Sequence, residues 1–146
     1  MNEEDKCIAL ALQILEKRMH YGEVLGSPDV VKNYLRLKLG TVEHEIFAVI
    51  WLTSQNHVIA YEEIFRGTLT QTSVYPRELV KLALKHNAAG AIFCHPHPSG
   101  VAEPSHADEH LTRALKQALS LVDVRVLDHM VVTATKVTSM AERGLI

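Results

Sequence analysis

The sequence predicts an α/β domain, a mixed β-sheet flanked by helices with a helical segment in front of it. Three observations predict this class. The stretch Glu45–Thr53 is almost wholly apolar from Ile46 to Leu52, as in a strand with both faces covered. Ser54-Gln-Asn-His57 reads as a turn, and Val58–Phe65 can return beside the first strand as a hairpin, so part of the sheet is antiparallel. Stretches with apolar residues three and four apart are interleaved with short apolar runs, the mark of helices packed on a sheet.

Each element follows from its own residues. Asp5–His20 carries Ile8, Leu12, Leu15 and Met19 at helical spacing. Tyr21–Gly26 reads as a linker. Ser27-Pro28 is an N-cap followed by proline at the first helical position, and the helix it opens carries Val30, Val31, Tyr34, Leu35 and Leu37. Gly40 can end it. Gly67–Ser73 is irregular or a short strand. Pro76 opens a helix through about Ala88, with Leu79, Val80, Ala83 and Leu84 on one side. Gly90–Cys94 is a strand, Ser105 caps a helix to about Ser120, Val124–Thr133 is a strand, and Lys136–Met140 reads as another. Residues 1–41 thus form an N-terminal helical segment and 42–146 the main domain.

Composition excludes several classes. The chain has 146 residues, enough for one domain with a proper core and too few for two ordinary ones. Net charge is −2, so nothing draws the whole molecule to nucleic acid or anionic lipid. The longest apolar run is far too short to span a bilayer, and Asn2-Glu3-Glu4-Asp5-Lys6 has the wrong charge for a signal peptide. Cys7 and Cys94 make no disulfide framework, and a cytoplasmic location is expected. The apolar N-terminal helix is a candidate interface for a homo-oligomer.

The chemistry concentrates in His95-Pro-His97-Pro-Ser-Gly-Val-Ala-Glu-Pro-Ser105-His-Ala-Asp108. If Ala91–Cys94 is a strand that continues, His95 and His97 face the same way. Asp108 follows at the start of a helix. Two imidazoles and a carboxylate are the protein ligands of a catalytic zinc site whose fourth position holds water, which suggests a hydrolase. Ser105 and Asp108 also form Ser-x-x-Asp, close to a capping box, and the two roles are compatible. Cys94 faces away from His95 by strand alternation and reads as a core residue. A rival pattern, His106-Ala-Asp-Glu109-His110, has the form H-x-x-E-H. It needs a distant carboxylate ligand, and few acids follow it. A hydrolase of this kind also needs a general base. Glu45, at the head of the apolar strand, fits best, with Glu43 on the same face as the second choice. From the residues alone, both are ordinary charged strand starts. Asp128 or His129 is a weaker candidate for a partner that orients a ligand, against the plainer role of a hydrogen-bonded core residue.

Glu45 followed by His95-x-His97, seven residues, and Ser105-x-x-Asp108 resembles the JAMM/MPN+ (JAB) metalloprotease signature. More narrowly, the chain resembles the short members of the bacterial RadC-like group. The matching stretches are Glu45-Ile-Phe-Ala-Val, Tyr75-Pro-Arg-Glu-Leu-Val, Ala83-Leu-Lys-His-Asn-Ala-Ala-Gly, His95-Pro-His-Pro-Ser-Gly, Pro104-Ser-His-Ala-Asp, Leu127-Asp-His and Glu142-Arg-Gly-Leu, across about residues 42–146. Residues 1–41 also look like the N-terminal part of the short members, with no helix-hairpin-helix region of the longer ones. The resemblance implies a cytidine-deaminase-like α/β fold and one zinc ion per chain, held by His95, His97 and Asp108 with a water. It implies Glu45 as general acid/base and Ser105 as donor to the oxyanion, in hydrolysis of a peptide or isopeptide bond. The chain departs from the group at Pro96, where the group usually has asparagine, and in the loop Val101-Ala-Glu103.

Two other readings stay open. One is a DNA-associated accessory protein that uses the fold as a binding module, which requires Lys32, Arg36, Lys38, Arg77, Lys81 and Lys85 to cluster. The other is a catalytically silent structural domain, against which the intact ligand set argues. A zinc-dependent nucleotide deaminase is excluded, because that chemistry needs a Pro-Cys-x-x-Cys pair.

Overall fold

Side chains along the central strands alternate between two helical layers, and that alternation sets the architecture. The computed structural model describes residues 2–21, 28–67 and 74–146. Its elements are α1 (Glu3–Tyr21), α2 (Pro28–Leu39), β1 (Glu45–Leu52), β2 (Val58–Gly67), α3 (Pro76–Lys85), β3 (Gly90–Pro96), α4 (His106–Ser120), β4 (Arg125–Val132) and β5 (Val137–Ser139). The sheet runs β2-β1-β3-β4-β5. The β1–β2 hairpin is antiparallel, β1–β3 is antiparallel, β3–β4 is parallel across the α4 crossover, and β5 returns antiparallel on β4. The mixed sheet flanked, among the described residues, by four helices is the expected class.

Even-numbered residues of β1 (Ile46, Ala48, Ile50, Leu52) pack with Ile92, Cys94, Met130 and Val132 against Val31, Tyr34, Leu35 and Leu39 of α2. Leu12 and Leu15 of α1 pack on the same layer. Odd-numbered residues (Phe47, Val49, Trp51) pack with Ala91 and Phe93 against Leu79 and Ala83 of α3 and Leu111, Leu115 and Leu119 of α4. From Ile46 to Leu52 every residue of β1 is buried, as its unbroken apolar pattern predicts. Cys94 lies on the α2 side, away from His95, and its thiol points at Ala48 O.

Local chemistry ends the elements where it should. Ser105 caps α4 in a reciprocal box with Asp108. The helix α3 stops at Lys85, three residues short of the expected Ala88. Asn87 adopts a left-handed φ of 52°, and Ala88 N–H closes on Ala83 O at 3.0 Å. Leu84, expected on the buried side, is exposed, because the stripe that meets the sheet is Leu79 and Ala83. The strand β3 runs two residues beyond the expected Cys94 and so includes His95. Tyr21 closes α1 rather than opening a linker. Residues 22–26 of that linker, the Ser27 cap, the Met19 side chain and residues 68–73 lie outside the described residues.

Candidate metal centre

The centre forms where the end of β3 meets the start of α4. His95 is the last ring held in the strand ladder, and His97 follows it on the same face, its N–H bonded to Val132 O at 2.9 Å. Asp108 occupies the third position of α4, directly over that face. Ser105 Oγ accepts from Asp108 N at 3.0 Å, while Ser105 N–H donates to Asp108 Oδ2 at 2.8 Å. The capping role read from Ser-x-x-Asp is present, and the cap aims the carboxylate so that it stays compatible with a ligand role.

The three candidate ligands converge. His95 Nε2 lies 3.0 Å from His97 Nε2 and 3.2 Å from Asp108 Oδ1, and His97 Nε2 lies 3.2 Å from Asp108 Oδ2. Among the described residues this is the one group of three such side chains whose ligand atoms come together. A tetrahedral ion with bonds of about 2.0–2.1 Å has ligand edges of about 3.3–3.4 Å, so the spacing is within a few tenths of an ångström of what zinc needs. The donor chemistry also fits. His97 Nδ1 sits 2.8 Å from Val101 O, and since a carbonyl only accepts, Nδ1 carries a proton, which in the neutral ring makes Nε2 the nitrogen free to ligate. His95 is almost fully buried, and Asp108 nearly so.

The electrostatics favour a cation. Asp108 is held well below the usual carboxylate range; burial opposes its charge, but the His95 and His97 contacts and the Ser105 backbone bond outweigh it. The Asp108 carboxylate raises the His97 pKa, partial burial opposes, and the Val101 carbonyl and the charges of Asp108 and Glu45 add to the rise. The influence of Glu45 agrees with its place. The β1–β3 pairing ends at Ala48↔Cys94, and the same register continued three residues sets Glu45 opposite His97. Glu43, His44, Glu45, Gly67, His97, Pro98 and Ser99 line one open cavity of about 730 Å³ beside the ligands.

Pro96 is accommodated by the ladder. Because His97 N–H points to β4, alternation turns the Pro96 nitrogen toward β1, beyond the last β1–β3 pair, where no ladder donor is required.

The rival motif does not assemble. His106 is fully exposed and meets Glu109 at 3.2 Å, and His110 is exposed. The six basic residues are divided as well. Those of α2 lie on one side of the sheet and those of α3 on the other. Lys32 pairs with Glu142, Lys38 sits over the Tyr61 ring, and Arg77 and Lys81 pair with Glu78. They do not form one cluster.

Of the weaker pair, His129 belongs to the centre and Asp128 does not. His129 Nε2 lies 2.7 Å from His95 Nδ1, and its Nδ1 lies 2.5 Å from Thr112 Oγ1. Burial pushes the His129 pKa well down, and neighbouring His95 pushes the same way. Asp128 instead accepts from His129 N, Ala141 N and Ser139 Oγ, tying β4 to the C-terminal turns. Thr112 was not marked by the sequence reading. Its only signal is helical spacing, one turn after Asp108 on the inner face of α4.

Comparison with known proteins agrees with this geometry. The RadC-like JAB domain model matches residues 25–145. A UPF0758 protein of Leptothrix cholodnii is 56% identical over 145 residues, 99% of this chain and 65% of its own length. Counterparts in Nitrosomonas eutropha and Aromatoleum aromaticum are 58% and 59% identical, each over 94% of this chain and 61% of their own. The chain thus spans between three-fifths and two-thirds of the length of these curated relatives. With a family match that takes in α2, the whole sheet and every residue of the centre, the chain belongs to the RadC-like JAB domain family.

Proposed function

We propose that this protein is a zinc-dependent metallopeptidase or isopeptidase that hydrolyses a peptide or isopeptide bond in a protein substrate. The observation that carries the reading is the convergence of His95 Nε2, His97 Nε2 and Asp108 at 3.0–3.2 Å beside a cavity that Glu45 also lines. Two imidazole nitrogens and a carboxylate so close need a proton or a metal ion among them, and one metal ion satisfies all three together. Membership of the JAB family, a metalloprotease-type fold, supports the same class. Zinc is preferred because a His₂Asp set with an open position suits it.

His95, His97 and Asp108 would hold the ion. When bound, it polarises the scissile carbonyl and lowers the pKa of the water it holds toward about 7. Glu45, across the strand pair from His97, takes a proton from the attacking water on a carboxylate oxygen and returns it to the leaving nitrogen as the C–N bond breaks. The Ser105 hydroxyl accepts from Asp108 N through a lone pair, so its own hydrogen is free to donate to the oxygen that gains charge as the carbonyl carbon becomes tetrahedral.

Metal content by mass spectrometry of the purified protein, beside His97→Ala and His106→Ala, tests the centre. About one zinc per chain is expected, lost in His97→Ala and kept in His106→Ala. No uptake by the wild type after reconstitution would overturn the hydrolase reading. A loaded protein is then screened on fluorogenic peptides and isopeptide-linked conjugates.

A further inference from the structure

We propose that His129 and Thr112 are positioning residues that lock His95 in the tautomer whose bare Nε2 faces His97 and Asp108. The inference rests on the metal reading above and adds the device that prepares its most buried ligand. His97 is oriented by a carbonyl, Val101 O. Among the described residues, His95 Nδ1 meets no carbonyl; it meets another imidazole, which could equally give or take a proton. Something further along must decide the direction.

That decision lies at the far end of the chain of contacts. Thr112 Oγ1 is 2.6 Å from Asp108 O. Two oxygens so close need a proton between them, and the carbonyl has none, so the hydroxyl donates. With its only proton committed, Oγ1 meets His129 Nδ1 as an acceptor, and Nδ1 carries hydrogen. The His129 ring is 0% exposed and sits edge-on to Phe47 and Phe93, with ring centres 5.8 Å away from each. A neutral imidazole there holds one proton, so its Nε2 accepts from His95 Nδ1–H. In the neutral ring the His95 proton is thereby held on Nδ1, away from the centre, and Nε2 is left free to ligate. The path begins at one ligand, crosses from β3 to β4 to α4, and ends on the backbone of another ligand, Asp108.

Removing the hydroxyl removes the arbiter. In Thr112→Val, His129 is free to move its proton to Nε2 and donate to His95 Nδ1, which puts a proton on the metal-facing nitrogen. Thr112→Ser keeps the hydroxyl and serves as rescue. Two measurements test this. Two-bond ¹H–¹⁵N correlation spectra of metal-free protein read imidazole tautomers directly; the wild type is expected to show Nδ1–H at both His95 and His129. Competition with a chromogenic chelator reads zinc affinity, expected to fall about 10–100-fold in Thr112→Val and to return with Thr112→Ser. Thermal melts accompany both variants. A wild-type His95 in the Nε2–H form overturns the proposal, as does a folded Thr112→Val with wild-type affinity. The two expected tautomers in a wild type that takes up no zinc would uphold the proton order and overturn the metallopeptidase reading instead.

Discussion

At the residue scale, each candidate role has its own signature. Glu45→Gln keeps the size of the side chain and loses the base. Turnover on a cleaved peptide is expected to drop about 10²–10⁴-fold with zinc content unchanged. Ser105→Ala removes both a cap and a donor. It is expected to lower stability by about 1 kcal/mol in denaturant titration and kcat by about 10²–10³-fold. Asp128 gives a pH dependence. Burial raises its pKa although three hydrogen bonds to the carboxylate oppose the rise. The folded state then binds more protons than the unfolded chain between the ordinary aspartate value and the raised one. The stabilisation is present below the unfolded pKa and is lost as pH rises through the folded one. The melting temperature of the wild type relative to Asp128→Asn should therefore fall as pH rises from below the ordinary aspartate value through the raised one. A difference that is flat with pH would show that Asp128 does not titrate this way.

At the element scale, one irregularity in β4 matters most. Ala91 pairs with Val126, but Ile92 pairs with Asp128, so Leu127 is an extra residue. Val126 faces the α4 layer, Leu127 packs on the α2 layer, and after the bulge His129 is again on the α4 side with Phe47 and Phe93. Without it, strict alternation from Val126 would turn Asp128, not His129, toward His95. Gly40 shows a second constraint. It follows the last residue of α2, but its φ is not in the left-handed range, so its need for glycine is spatial. A Cβ there would lie 2.4 Å from Arg36 O and 3.0 Å from Thr133 O. Gly40→Ala is expected to cost about 1–3 kcal/mol in thermal or denaturant unfolding, because backbone on two elements must shift.

At the scale of the whole molecule, the centre joins β3 to α4, so an ion held there ties strand and helix together in the folded state alone. Zinc at about 100 times its Kd adds about 2.7 kcal/mol. For a chain near this size that raises Tm by roughly 5–10 °C. A chelator should reverse the shift, and His97→Ala should abolish it, by differential scanning fluorimetry. The two helical layers also decide what the surface presents. α2 and α3 cover opposite faces of the sheet, so their basic side chains cannot make one continuous patch. Among the described residues no helix is long and apolar enough to cross a membrane.

What the sequence by itself determined is what local pattern encodes. The apolar periods marked every helix and strand among the described residues, and Ser-x-x-Asp marked the start of α4. His-x-His in an extended segment put both rings on one face, because alternation is a property of the strand alone. Tertiary structure decided the rest. That Asp108 reaches both rings depends on how α4 returns over β3, and that Glu45 lines the same cavity as His97 depends on the β1–β3 pairing. Choosing between His129 and Asp128 needed the bulge at Leu127, which no period in the sequence announces. Thr112 carries no signal beyond its helical spacing from Asp108; it matters because a hydroxyl between a carbonyl and an imidazole has one proton and only one direction to give it.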